Sequence, residues 1–284
     1  MSRDLILGGA QLGNGYGFFV REEKISKLDL DNLLEASLEV GILSIDIAQN
    51  YKGVIENLAD VKLVDQFTFS TKIEFDEIVK NEYERSLKLT LSKLNADKFE
   101  SILIHNWSIL NIPNQKNAIA LLQNLKEIGL TNRIGISVYD LADLEGVSRA
   151  VQIIQAPLNF FNTTFLTSVQ VKKLKTEGVE FHARSIFHQG TLLNTSSVDS
   201  DFRADIVKFE IFCNTFNLSN MEAALSVYDS QDVFTKLVVG VVSAKQLLEI
   251  VSTKENILDH DLIDNQSLYS ENFADPRKWE IRKK

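Results

Sequence analysis

Eight short apolar runs, rich in β-branched residues, alternate along this chain with longer segments of helical spacing. No other feature of the sequence restricts the fold as much. The runs fall at residues 4–8, 42–47, 67–71, 100–104, 133–137, 152–155, 179–184 and 236–240. Helical patterns are expected over 28–40, 76–94, 118–128 and 167–176. In the first, Leu28, Leu30, Leu33, Leu34 and Leu38 recur near a 3.6-residue period, which sets one face against a core. Eight strands, most with a helical pattern behind them, predict an α/β fold, a single-domain (β/α)8 TIM barrel. A doubly wound sheet with a dinucleotide fingerprint is the rival. Its support is Gly13-x-Gly15-x-Gly17, but Phe18-Phe19-Val20 follows where a helix should open. Those glycines read instead as a loop lying close to a ligand.

The chain's 284 residues, 44% hydrophobic, suffice for one large core. Expected domain limits are 1–260 for the barrel and 261–284 for a C-terminal extension. Thirty basic against 39 acidic residues give a net charge of −9, which argues against a nucleic-acid partner. The basic cluster Arg277, Lys278, Arg282, Lys283 and Lys284 is expected to be a solvated tail. A single cysteine, Cys213, fits a reducing compartment. No run is long enough to span a membrane, so a cytoplasmic protein is expected.

Ionisable side chains stand just past three successive runs. Asp46 and Tyr51 follow the second, Lys72 the third and His105 the fourth. A barrel directs the C-terminal ends of its strands into one shared pocket, so these four should converge. A phenol titrates near ~10 and is a weak acid unaided. An ammonium beside it should lower that value, and a carboxylate can hold the ammonium in place. With an imidazole to position a carbonyl, such a group can protonate an oxygen as charge develops on it. Taken one at a time, each of the four is equally a turn cap, a loop aromatic, a strand end or a rim histidine.

The segment Asp46-Ile47-Ala48-Gln49-Asn50-Tyr51, with Glu56 behind it, resembles the Asp-x-Ala-x-x-Tyr stretch of the aldo-keto reductases. Ser70-Thr71-Lys72 and Leu103-Ile104-His105 resemble that family's lysine and histidine stretches. Ile134-Gly135-Ile136-Ser137 and Gln155-Ala156-Pro157-Leu158-Asn159 are similar to the stretches that bind the nicotinamide amide. A narrower likeness, in Leu7–Gly13, Ser137–Tyr139 and His182–Gly190, is to a bacterial subgroup associated with surface-polysaccharide and sugar modification. The resemblance implies an NAD(P)H-dependent oxidoreductase that reduces an aldehyde or ketone without a metal, with Tyr51 as acid. It implies catalytic roles for Asp46, Tyr51, Lys72 and His105. It implies NADPH binding, with NADH as the alternative, by Ser137, Gln155, Arg184, Gln189, Gly190, Ser243, Lys245, Gln246 and Glu249.

Several positions depart from the family pattern. Arg184 stands where many members carry a stacking tyrosine, and Gln246 where many carry an arginine. Lys52 interrupts a Tyr-Gly pair, and Phe18-Phe19-Val20 replaces a smaller, more polar loop. The expected partner is a small carbonyl compound. The altered loops motivate the alternative of a non-catalytic dinucleotide- or partner-binding protein, and a Schiff-base role for Lys72 is a third reading.

Overall fold

A computed structural model describes residues 3–13, 25–198, 202–259 and 271–279. Its eight strands are β1 (Leu5–Gly8), β2 (Ser44–Asp46), β3 (Thr68–Ile73), β4 (Phe99–Ile104), β5 (Thr131–Ser137), β6 (Ile153–Pro157), β7 (Glu180–Arg184) and β8 (Phe234–Gly240). Each pairs in parallel with the next and β8 returns to β1, closing a barrel. The expected (β/α)8 TIM barrel is therefore the fold, and the open dinucleotide sheet is excluded.

Parallel strands need crossovers, and helices supply most of them. They are α1 (Lys27–Glu39), α2 (Val54–Ala59), α3 (Tyr83–Lys93), α4 (Ile112–Glu127) and α5 (Val169–Thr176), with α6 (Arg203–Phe216) and α7 (Asn220–Asp229) together between β7 and β8; the β5–β6 crossover carries only a 3-10 turn, Leu141–Leu144, and α8 (Ala244–Ser252) follows β8. Local signals set their starts. Ser26, Asn111, Ser168 and Ser243 each accept a backbone N–H from the first turn of a helix, and Ser219 with Glu222 forms a capping box ahead of α7. The helix expected over 76–94 begins late, because Tyr83 is drawn back into the loop: its hydroxyl donates to the Glu74 carbonyl and accepts from the Asp76 amide.

Glycines bring the strand ends close. A Cβ on Gly135 would lie 2.3 Å from the Ile153 carbonyl oxygen on β6, and one on Gly13 would lie 2.4 Å from that of Lys52. Gly13 thus serves the packing of the Tyr51 loop; Gly15, Gly17 and Phe18-Phe19-Val20 lie outside the described residues. Gly53, at φ +76°, starts α2 from the left-handed region, which only glycine enters without cost.

The main core lies between the strands and their helices, and the barrel interior is largely polar. Ser70 and Ser101 are bonded across β3 and β4. Glu180 ties Arg133 and His182 together on β5 and β7. Residues 271–279 return to this body: Phe273 is fully buried, edge-on to Phe161 and His188 and stacked on Trp279. No helix among the described residues is long and apolar enough to cross a membrane.

Candidate active site

The C-terminal ends of the strands bring the expected four side chains together. Lys72, on β3, and Asp46, at the end of β2, are both buried and form a direct ion pair. Gln155, on β6, donates to the other Asp46 oxygen at 3.3 Å. The Lys72 ammonium lies 5.8 Å from the centre of the Tyr51 ring. The His105 ring meets Tyr51 edge-on, with centroids 6.0 Å apart. The backbone holds this geometry: the amides of Ile47 and Gln49 donate to the carbonyls of Ser70 and Lys72, and that of His105 donates to Ile73.

The electrostatics differ from the sequence expectation in one respect. Burial, followed by the Asp46 carboxylate, holds the Tyr51 phenol well above its ordinary range. The cation that chiefly pulls the phenol back down is Arg184. A phenol held protonated is a proton donor in waiting. Burial first, then Lys72 and Arg184, depress His105 to about 4, so its imidazole is neutral near pH 7.

A cavity of about 760 Å³ opens from this cluster. Asp46, Tyr51, Gln155, Arg184, Gln189, Gly190, Gln246 and Glu249 all line it. Ser137 is buried beside Gln155 in the β5–β6 register. Ser243 caps α8 through the Gln246 amide at 3.3 Å. Lys245 does not line the cavity: its side chain is 85% exposed and reaches toward Glu249 at 3.9 Å. Sequence reasoning missed Gln11, whose buried Oε1 would lie 2.1 Å from a Cβ on Gly240. It also missed the wall contributed by Ser219, Asn220 and Met221.

The cavity is built to take a polar ligand. Gln11 Oε1, Gln155 Oε1 and His105 Nδ1 are buried with no hydrogen-bond partner among the described residues. Such groups are costly unless a ligand or water meets them. Along one wall Ser185 and Gln189 have positive φ, as does the buried His188 between them in sequence. Backbone strain of this kind collects at functional sites. Gln246 and Glu249 on the cavity wall belong to α8, whose first turn carries N–H groups that no helical carbonyl can satisfy.

Arg184 is held in an unusual way. Its guanidinium lies 4.2 Å from the centre of the Tyr139 ring, and that of Arg277 lies 4.1 Å from the same centre. Both guanidinium groups thus lie over one ring, and repulsion between them favours opposite faces, a sandwich. Arg277 is fixed by Asp140 and Asp275, each at 2.8 Å. Arg277 and Lys278 are exposed, as a solvated tail requires, but Arg277 is also tied down by Tyr139 and two carboxylates; Arg282, Lys283 and Lys284 lie outside the described residues.

Comparison with known proteins agrees with this geometry. The model of the Aldo/keto reductase family matches residues 4–265. Methylglyoxal reductase DkgB of Escherichia coli O157:H7 is 34% identical over 131 residues, 42% of this chain. That match spans 46% of DkgB, about half its length. Two solved structures of a Pseudomonas aeruginosa protein assigned to the aldo-keto reductases superpose with TM-scores of 0.67 at 16% identity. They cover 88% of this chain and 89% or 88% of their own, and at that identity they speak for the barrel alone. From the extent of the family match and the closed barrel beneath it, the chain belongs to the aldo/keto reductase family.

Proposed function

We propose that the protein is an NAD(P)H-dependent reductase of aldehydes or ketones, with Tyr51 as the general acid. The observation that carries this reading is the buried Asp46–Lys72 pair beside a protonated phenol, with a neutral imidazole edge-on to it. A bound nicotinamide would supply the hydride for the carbonyl carbon. The chain's own residues then handle the oxygen. His105 orients the carbonyl, and Tyr51 gives up its proton as negative charge builds there. Arg184 stabilises the phenolate left behind, and Asp46 and Lys72 keep the pocket's geometry fixed.

The residues present fit such a cofactor. Gln155 offers an unpartnered acceptor suited to a carboxamide N–H, with Ser137 beside it. Arg184 flanks the ring position, while Gln189, Gly190, Ser243 and Gln246 face the phosphate end. Lys245 and Glu249 stand at the rim of that end, where a lysine can act as a point charge toward a 2′-phosphate. This favours NADPH, with NADH the alternative. In this reading residues 1–260 are the catalytic barrel and 261–284 an extension, and the lone cysteine suits a cytoplasmic location.

The test is to incubate the protein with NADPH and a panel of aldehydes, ketones and keto-sugars while following cofactor absorbance. Turnover of at least one carbonyl is expected. Tight NADPH binding with no turnover on any of them would favour a non-catalytic dinucleotide-binding protein.

A further inference from the structure

At the Tyr51 end of the cleft, every cation but Arg184 has a carboxylate in direct contact. Asp46 and Lys72 cancel each other, Tyr51 and His105 are neutral near pH 7, and Arg277 is matched by Asp140 and Asp275. Arg184 remains. It lines the cavity, is half-buried, and has no carboxylate partner among the described residues. One Nη donates to the Val138 carbonyl at 2.9 Å and the other to the Ser185 hydroxyl at 3.3 Å. A guanidinium has five N–H donors, so most of its capacity is unused. Removing a cation from water without an anion is expensive.

The Tyr139 sandwich, the Val138 carbonyl and the Ser185 hydroxyl fix the guanidinium plane before any ligand arrives. Tyr139 is itself anchored, its amide donating to Asp143 at 2.8 Å. A pre-oriented planar fork with free edge donors matches a carboxylate, which it can engage through two parallel hydrogen bonds. With both Asp140 and Asp275 on Arg277 the cluster is already neutral as a whole, so a carboxylate brings one net negative charge into the half-buried cleft and a dianionic phosphate ester brings two, at greater cost.

We propose that Arg184 is an anion-recognising residue, and that the carbonyl compounds this cleft selects carry a carboxylate. The substrate class follows only if the carbonyl-reductase reading holds; anion recognition does not depend on it. A flat contact with the nicotinamide through the guanidinium face would leave its N–H edge free for this second task.

Binding and turnover test the two readings separately. Calorimetric titration compares 4-(hydroxymethyl)benzoate with its neutral isostere, 4-(hydroxymethyl)benzamide, with and without NADPH. The carboxylate should bind about tenfold tighter, as a charge-assisted pair in a desolvated site would give. In Arg184→Met that gap should shrink to about twofold or less, and Arg184→Lys should restore part of it because the charge returns without the fork. The matching aldehydes, 4-carboxybenzaldehyde and 4-carbamoylbenzaldehyde, should show the same preference, chiefly in KM. No preference in the wild-type protein, an equal gap in Arg184→Met, or tighter binding of 4-(hydroxymethyl)phenyl phosphate would overturn the proposal. A carboxylate preference that depends on Arg184, with no turnover of any aldehyde, would uphold the anion site and remove the reductase reading.

Discussion

Asp46 and Lys72 show how closely function and stability are bound at single residues. Both are buried, and each is the other's counter-ion. Lys72→Met should destabilise the fold by about 3–5 kcal/mol, because it strands a buried carboxylate. Combining it with Asp46→Asn should return much of that loss in chemical denaturation, while carbonyl reduction stays lost. An Asp46–Lys72 contact that mattered only for chemistry would give two single variants of wild-type stability. This pair was readable from its strand-end positions. The direction of the Tyr51 shift was not, since it is set first by burial, then by Asp46 and by the nearness of Arg184, 133 positions along the chain from Tyr51.

Among the elements, all eight strands were legible, because a buried parallel strand leaves a short apolar run in the sequence. Helices α2, α6 and α7 escaped notice. The first has only six residues, and the second follows a loop with no side-chain cap on its start. The sandwich of Arg184, Tyr139 and Arg277 joins three distant segments, and no local pattern encodes it. Two substitutions probe the elements. Gly135→Ala should cost about 1–3 kcal/mol, since its Cβ would meet the backbone of β6 rather than a side chain able to move. Ser243→Ala should cost about 1 kcal/mol through loss of the α8 cap, and should also weaken NADPH binding by disordering the turn proposed to face the phosphates. Denaturation midpoints and cofactor titration measure the two effects independently.

At the scale of the molecule, acid should destabilise this fold through its histidines. Burial depresses both His105 and His188 to about 4, below the value of about 6.5 expected in an unfolded chain. Between those values the unfolded state binds more protons, so stability falls as pH drops through that window. Glu180, held at about 2 mainly by its hydrogen bond to His182, extends the loss further into acid. His188 is packed between Phe161, Phe273 and Trp279, so its protonation should release residues 271–279 along with it. His188→Gln should be less stable at pH 7 yet lose less than wild type between pH 7 and pH 5. A wild-type denaturation midpoint that does not move over that interval would contradict this. Phe273→Ala should cost about 3–5 kcal/mol, as a buried ring in the core does; a change under 1 kcal/mol would mean that the segment does not dock in solution.

The central claim is that Tyr51 is the proton donor to a carbonyl oxygen. Tyr51→Phe keeps the ring that packs against His105 and Lys72 and removes only the hydroxyl. Single-turnover NADPH oxidation with an aldehyde that the wild-type protein reduces, paired with a direct NADPH titration, isolates that loss. The hydride-transfer rate should fall by at least about 100-fold, as loss of a general acid does, with NADPH affinity within about twofold of wild type. A variant that binds NADPH normally and still reduces the aldehyde at the wild-type rate would contradict the account.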